Sequence, residues 1–272
     1  MRRLIKGQEV SSRKICKFLE QVQEREVPVR GQKEITSLAI VVPCYGHAAF
    51  LPTALASIAS QTRLPDEVIA VDDHSPDMTG SILNEHFARF REQMGIRCAL
   101  LTNERNRGQA YSLNRGIAAA ESELVMVLND DDYLMHDAVA AMLGFFEQYG
   151  EIAMVGGASI HFCGDEELAT LPKTGRSSAA GEKVPLSIRM PAEVGNYRQY
   201  NDLNMTHSGC CFLRSAWETV GGYFPDKRER IVPFSDRDFQ LRINALFPVG
   251  LSTQVPFSFW RSGSSVDQGR DS

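Results

Sequence analysis

From Leu38 onward the chain alternates short, almost wholly apolar runs with longer stretches of helical spacing. "LAIVVP" precedes "AAFLPTALASIASQ", "EVIAV" precedes "GSILNEHFARFREQM", "RCALLT" precedes "GQAYSLNRGIAAAE", and "LVMVL" precedes "HDAVAAMLGFFEQYG", with "IAMVGGASIHF" as one further strand. This order leaves few architectures open. Strands joined through helices return to the same edge of the sheet and run parallel. Runs that are apolar at every position, not at every second one, predict strands covered on both faces. The expected fold class is therefore α/β, a mostly parallel central sheet flanked by helices. A chain of 272 residues has room for one large domain of this kind, or such a domain with extensions.

Two segments fall outside the alternation. Residues 1–36 are charged, with Ile15, Phe18, Leu19 and Val22 at helical spacing. They predict an amphipathic helical extension and linker, which docks on the domain (residues 37–272) or on a partner. Residues 163–207 are rich in Gly, Ser, Pro and charge and show no period, as in a long functional or disordered loop. Order resumes at "SGCCFLRSAWETVGGY" and at "FSDRDFQLRINALF", a helix with Phe239, Ile243 and Leu246 on one face. A net charge of −5 argues against a nucleic-acid or anionic-membrane binder. The six cysteines form no C-x-x-C pair, and most of them read as small buried hydrophobes in a reducing compartment. Without a signal-like apolar segment or a bilayer-length run, the expectation is a cytoplasmic protein with no integral membrane segment, free or peripheral to the membrane.

The chemistry gathers at strand ends. In open parallel sheets, ligands bind beyond the carboxyl ends of the strands. The second strand ends in Asp72 and Asp73, and the fourth runs directly into Asn129, Asp130, Asp131 and Asp132. Carboxylates this close raise one another's pKa. Either they point apart into water, one of them capping the next helix, or a cation sits among them. Hard oxygen donors suit Mg²⁺ or Mn²⁺, which typically take one or two protein carboxylates and complete their shell with substrate phosphates.

Four segments together resemble a known family: "IVVPCYGHAAFLPTALASIASQT", "EVIAVDDHSPD", "NRGQAYSLNRGIAAAESELVMVLNDDDYL", and "GCCFLRSAWETVGGY" with "SDRDFQLRI". They look like those of the inverting, nucleotide-sugar-dependent glycosyltransferases of family 2, and the likeness spans roughly residues 37–265. It implies a GT-A-like, Rossmann-like fold. It also implies transfer of a sugar from a nucleoside-diphosphate sugar to a hydroxyl of a glycan, lipid-linked or other acceptor, assisted by Mn²⁺ or Mg²⁺. By the same resemblance Pro43, Tyr45, Asp72, Asp73, Arg107, Gly108, Asn129 and Asp130 touch the nucleotide sugar. Asp131, the last acid of D-x-D, takes the metal, and Asp236 is the catalytic base. The residues alone leave Asp236 a second role as a helix cap.

The chain departs from the family pattern at three places. Asn129 replaces the first acid of D-x-D, Ser235 replaces the Glu before the base, and "WRSGSSV" lacks the His that usually binds metal there. No Gln-x-x-Arg-Trp follows, which disfavours the processive branch. His47, His74 and His207 read as hydrogen-bonding loop residues, since none has a His four positions away. Two other readings stand beside the transferase. One is a non-catalytic transferase-like binding module, which the three departures favour. The other is a nucleotidyltransferase or dinucleotide enzyme, although neither G-x-G-x-x-G nor G-x-x-x-x-G-K-[ST] is present.

Overall fold

The computed structural model describes residues 12–23, 35–174, 185–191, 203 and 205–263. An N-terminal helix α1 (Ser12–Gln23) precedes the alternation, which runs β1 (Leu38–Cys44), α2 (Leu51–Ala59), β2 (Glu67–Asp72), α3 (Thr79–Met94), β3 (Arg97–Thr102), α4 (Gln109–Ala119) and β4 (Leu124–Val127). There follow β5 (Tyr133–Leu134), α5 (Ala138–Gln148), β6 (Met154–Gly157), β7 (Ile160–Phe162), α6 (Asp165–Thr170) and β8 (Ser187–Arg189). The chain continues with β9 (Cys211–Leu213), α7 (Arg214–Val220), α8 (Ser235–Leu246), β10 (Val249–Ser252) and β11 (Ser258–Arg261).

The main sheet has eight strands in the order β3-β2-β1-β4-β9-β6-β10-β8, and β5-β11-β7 form a second, three-stranded sheet. Strands β1 to β4 pair in parallel, as do β6 and β10, while β9 runs antiparallel between β4 and β6. The apolar runs of β1, β2 and β4 are buried at every position, as the sequence predicts, whereas β3, at the edge of the sheet, is only partly covered. Ile40 and Val42 of β1 enter one buried cluster with α2, α3 and α5, and Ala39 and Val41 enter another with α1, α4, α7 and α8. Alternate side chains of each strand thus feed opposite layers. Gly116 lets α4 lie close on the sheet, since a Cβ there would stand 2.7 Å from Val41 Cγ1.

Three expectations change. "IAMVGGASIHF" is not one strand: β6 joins the main sheet, and after residues 158 and 159 β7 leaves for the second sheet. The Gly156-Gly157 pair permits the break, because Met205 and Ser252 close in where side chains would stand. The aperiodic stretch 163–207 contains helix α6 and edge strand β8, elements of six and three residues that are too short to show a period. Residues 175–184, 192–202 and 204 of that stretch lie outside the described residues. The cysteines divide evenly: Cys44, Cys210 and Cys211 are buried, Cys16 and Cys98 half-buried, and Cys163 exposed. Helix α1 turns Ile15, Phe18 and Val22 into the same cluster as α8, and Lys14 Nζ donates to the Arg230 carbonyl at 2.7 Å. Among the described residues no helix is long and apolar enough to cross a membrane.

Candidate active site

The parallel order β2-β1-β4 sets three strand ends side by side, and loops joined by hydrogen bonds cover them. Beyond β1 the chain turns at Gly46, with φ of 71°. Its backbone is pinned by neighbouring polar side chains: Tyr45 N–H donates to Asp130 Oδ2 (3.0 Å), Gly46 N–H to Ser75 Oγ (3.2 Å) and Ala48 N–H to Asp77 Oδ2 (3.0 Å). His47 Nδ1 lies 2.8 Å from Asp130 Oδ1, with side-chain exposures of 13% and 7%. Pro43 is a strand residue and not part of this loop. It is buried in β1 beside Val71.

Asp72 and Asp73 share a strand end but do different work. Asp73 is buried and receives Asn103 Nδ2 (2.6 Å) and the backbone N–H groups of Arg107 (2.8 Å) and Gly108 (2.7 Å). Its carboxylate therefore shapes the loop that leads into α4, where Gly108 has φ of 86°. Asp72 accepts the Ser75 N–H on Oδ1 at 2.9 Å, and among the described residues no hydrogen bond reaches its Oδ2. Arg107 is exposed and lies over the Tyr111 ring at 4.4 Å.

The Asn129–Asp132 loop is wired on every side. Asn129 accepts Gln109 Nε2 (3.0 Å), donates through Nδ2 to Asp132 Oδ2 (3.2 Å), and donates its N–H to Ser208 Oγ (3.0 Å). An acid at position 129 would set a carboxylate against Asp132, whereas the amide supplies a donor. Asp132 also receives Ser208 Oγ (2.5 Å) and the Arg261 N–H (3.0 Å). Burial and then the charge of Asp131 push it up to about 7. Burial also raises Asp130, while the His47 contact pulls the other way. Arg261 Nε donates to the Asp131 carbonyl (3.0 Å), and its guanidinium lies over Phe50 and Phe162 at 4.5 and 4.6 Å. Sequence reasoning missed Arg261 because nothing near it in the chain reveals a bond spanning 130 positions.

The 206–210 segment brings in the other half. Gly209, at φ of 80°, donates to Val127, and Val127 donates to the Cys210 carbonyl. His207 Nε2 lies 3.0 Å from the Tyr223 hydroxyl, and Tyr223 stacks on Phe239 of α8. Asp236 sits in the first turn of α8, near enough for its charge to act on His207, Cys210 and Tyr223. Phe234 occupies the cap position of α8, and Ser235 and Asp236 lie inside its first turn. Asp238 is structural. It is fully buried, accepts the Ile231 N–H at 2.5 Å, and holds Arg242 Nε at 2.9 Å. Arg228 pairs with Asp226, and Arg230 binds the carbonyls of Phe224, Pro225 and Pro233, so both stitch their own loop.

The ligand atoms of His47, Asp130 and Asp131 lie within 4.8 Å of one another, a spread that one divalent ion can bridge. Two carboxylates and one imidazole are a donor set that a divalent metal ion accepts.

The family described as "Glycosyl transferase family 2" matches residues 39–221, the stretch that carries β1 through α7. The chain belongs to glycosyl transferase family 2. Among curated members, it is 28% identical over 148 residues to the succinoglycan biosynthesis protein ExoO of Rhizobium meliloti, a match covering 52% of this chain and 40% of that protein. This family 2 chain therefore spans less than half of that relative's length. Among solved structures, it resembles Staphylococcus aureus TarS 1-349 in complex with UDP-GlcNAc, with a TM-score of 0.62, 16% identity, and coverage of 87% of this chain and 62% of that one. It also resembles the mannosyltransferase PcManGT from Pyrobaculum calidifontis in complex with GDP-Man and Mn²⁺, with a TM-score of 0.60, 15% identity, and coverage of 93% and 66%. Likeness at that level of identity establishes the fold, which is GT-A.

Proposed function

We propose that this family 2 chain transfers a sugar, with inversion, from a nucleoside-diphosphate sugar to an acceptor hydroxyl. One observation carries the reading. The hydrogen bonds from the Asn129 N–H to Ser208 Oγ and from the Gly209 N–H to the Val127 carbonyl join the acidic loop after β4 to the segment whose His207 and Cys210 feel the charge of Asp236, which supports a site built from both halves.

The residues divide the work. Asp72, Arg107 and Tyr45 line the nucleotide end. Asp73 and Gly108 set the start of α4, whose N-terminal N–H groups favour an anionic ligand. Asp131 would hold a divalent ion, which when bound would supply Lewis-acid neutralisation of the departing diphosphate's charge. Asp236 accepts the acceptor hydroxyl's proton from the opposite side, so a single displacement inverts the anomeric carbon. His207, hydrogen-bonded to Tyr223, lies within reach of the charge of that base. The TarS and PcManGT complexes suggest UDP-GlcNAc and GDP-mannose as the first donors to test.

The test is a donor panel with and without Mn²⁺, scored for transfer. Asp236→Asn is expected to lower kcat by about 10²–10⁴-fold with the donor Kd unchanged. Unaltered kcat would remove Asp236 from the role of base. Asp131→Ala is expected to cost at least about a hundredfold with the fold retained. Binding of every donor without turnover would favour a transferase-like binding module.

A further inference from the structure

The closing strand of the chain ends in Trp260 and Arg261, where the family more usually places a metal-binding imidazole. Arg261 cannot fill that role. Its guanidinium is cationic, is engaged with the Asp131 carbonyl and Asp165, and is packed between two phenylalanine rings. An imidazole reaches the acidic loop from the neighbouring strand end. His47, on the loop after β1, stands against Asp130 at 2.8 Å, and its ligand atom lies within 4.8 Å of those of Asp130 and Asp131.

Three features make this placement more than a surface contact. The loop backbone on both sides of His47 is fixed by Asp130, Ser75 and Asp77. The ring is held at its edge by Phe50, with centroids 5.8 Å apart. Asp130 grips both the Tyr45 N–H and His47 Nδ1 through its two oxygens, the arrangement in which a carboxylate orients a ligating histidine. Little side-chain freedom remains to be lost when an ion arrives.

Resting on the metal-assisted reading above, we infer that His47 supplies an imidazole nitrogen to the divalent ion beside Asp131, so that the site takes a transition metal in preference to magnesium. The consequence is chemical. Mg²⁺ demands a nearly regular shell of oxygens, whereas imidazole suits later divalent metals and Mn²⁺ tolerates it. The same residue ties the ion to the loop that carries Tyr45, so metal and nucleotide are expected to bind cooperatively.

The experiment uses the full chain and Mn²⁺ with inorganic pyrophosphate. Pulsed electron paramagnetic resonance of the wild-type complex is expected to show nitrogen coupling to Mn²⁺. His47→Gln, which keeps a side-chain donor for Asp130, is expected to lose that coupling and to bind Mn²⁺ and Co²⁺ about tenfold or more weakly. Its Mg²⁺ affinity is expected to change much less, so the preference for transition metals narrows. Mn²⁺ that binds the wild type without nitrogen coupling, or binds the variant equally well, overturns the inference and leaves the transferase reading intact. Failure of the wild type to bind any divalent ion with pyrophosphate overturns both. The wild-type spectrum decides the question even if His47→Gln does not fold.

Discussion

His207 carries one titration whose sign can be worked out. Burial holds it below its ordinary value near 6.5, and the charge of Asp236 opposes that only in part. The folded state therefore binds this proton less readily than the unfolded chain. Stability from the neutral ring is present above the unfolded value and falls as pH drops through and below it. Urea unfolding between about pH 7.5 and pH 5 is expected to show a loss of stability that His207→Gln reduces. Equal pH profiles for the two proteins would refute it. Asn129 shows the opposite economy. Surrounded by Gln109, Asp132 and Ser208, it is neutral where the family usually carries an acid, and one fewer negative charge faces Asp131 and Asp132. Nothing in the one-dimensional sequence distinguishes that substitution from simple loss of a ligand.

Helix α8 is the element on which the acceptor side turns. It is buried at nearly every position from Asp238 to Ala245, with Arg242 satisfied by Asp238, by the Val220 and Gly222 carbonyls, and by the Phe224 ring at 3.8 Å. A one-sided apolar helix was the natural expectation, because Asp, Gln, Arg and Asn read as solvent-facing. Carbonyls of α7 and the following turn allow Arg242 to be buried, and the Arg189 and Phe247 carbonyls do the same for Asn244, while Gln240 Nε2 is buried with no hydrogen-bond partner among the described residues. Helix α1 covers the same region: Phe18 is 5% exposed and its ring lies 5.9 Å from the Arg242 guanidinium. Phe18→Ala is expected to cost about 3 kcal/mol of stability by chemical denaturation. A cost below about 0.5 kcal/mol, the usual range for a surface change, would mean that α1 does not brace this face.

Across the whole molecule, ligand, ion and fold are linked. Under the proposed function a nucleoside diphosphate would meet the loops after β1, β2 and β4, with a divalent ion held beside Asp131. Ligands that bind only the native state raise the melting temperature, by roughly 5–10 °C at a concentration about a hundred times Kd. UDP or GDP with Mn²⁺ is expected to produce such a shift, and excess chelator is expected to reverse most of it. A shift indifferent to chelator would separate nucleotide binding from the metal.

The sequence by itself determined the parallel α/β core and the crowding of acids at two strand ends. Both are written in neighbouring residues: apolar runs that must be covered on each face, and carboxylates that follow them without a break. It determined less about the roles within those clusters. Asp72 and Asp73 are adjacent and chemically identical, yet only folding shows that the second binds the loop before α4 while the first accepts the Ser75 N–H. The split of β6 from β7, the grip of Arg261 on Asp131, and the approach of His47 to Asp130 belong to the tertiary structure alone. Each depends on groups remote or unrelated in sequence being brought within a few ångströms, and hydrogen bonds and ion coordination respond to that distance, not to position along the chain.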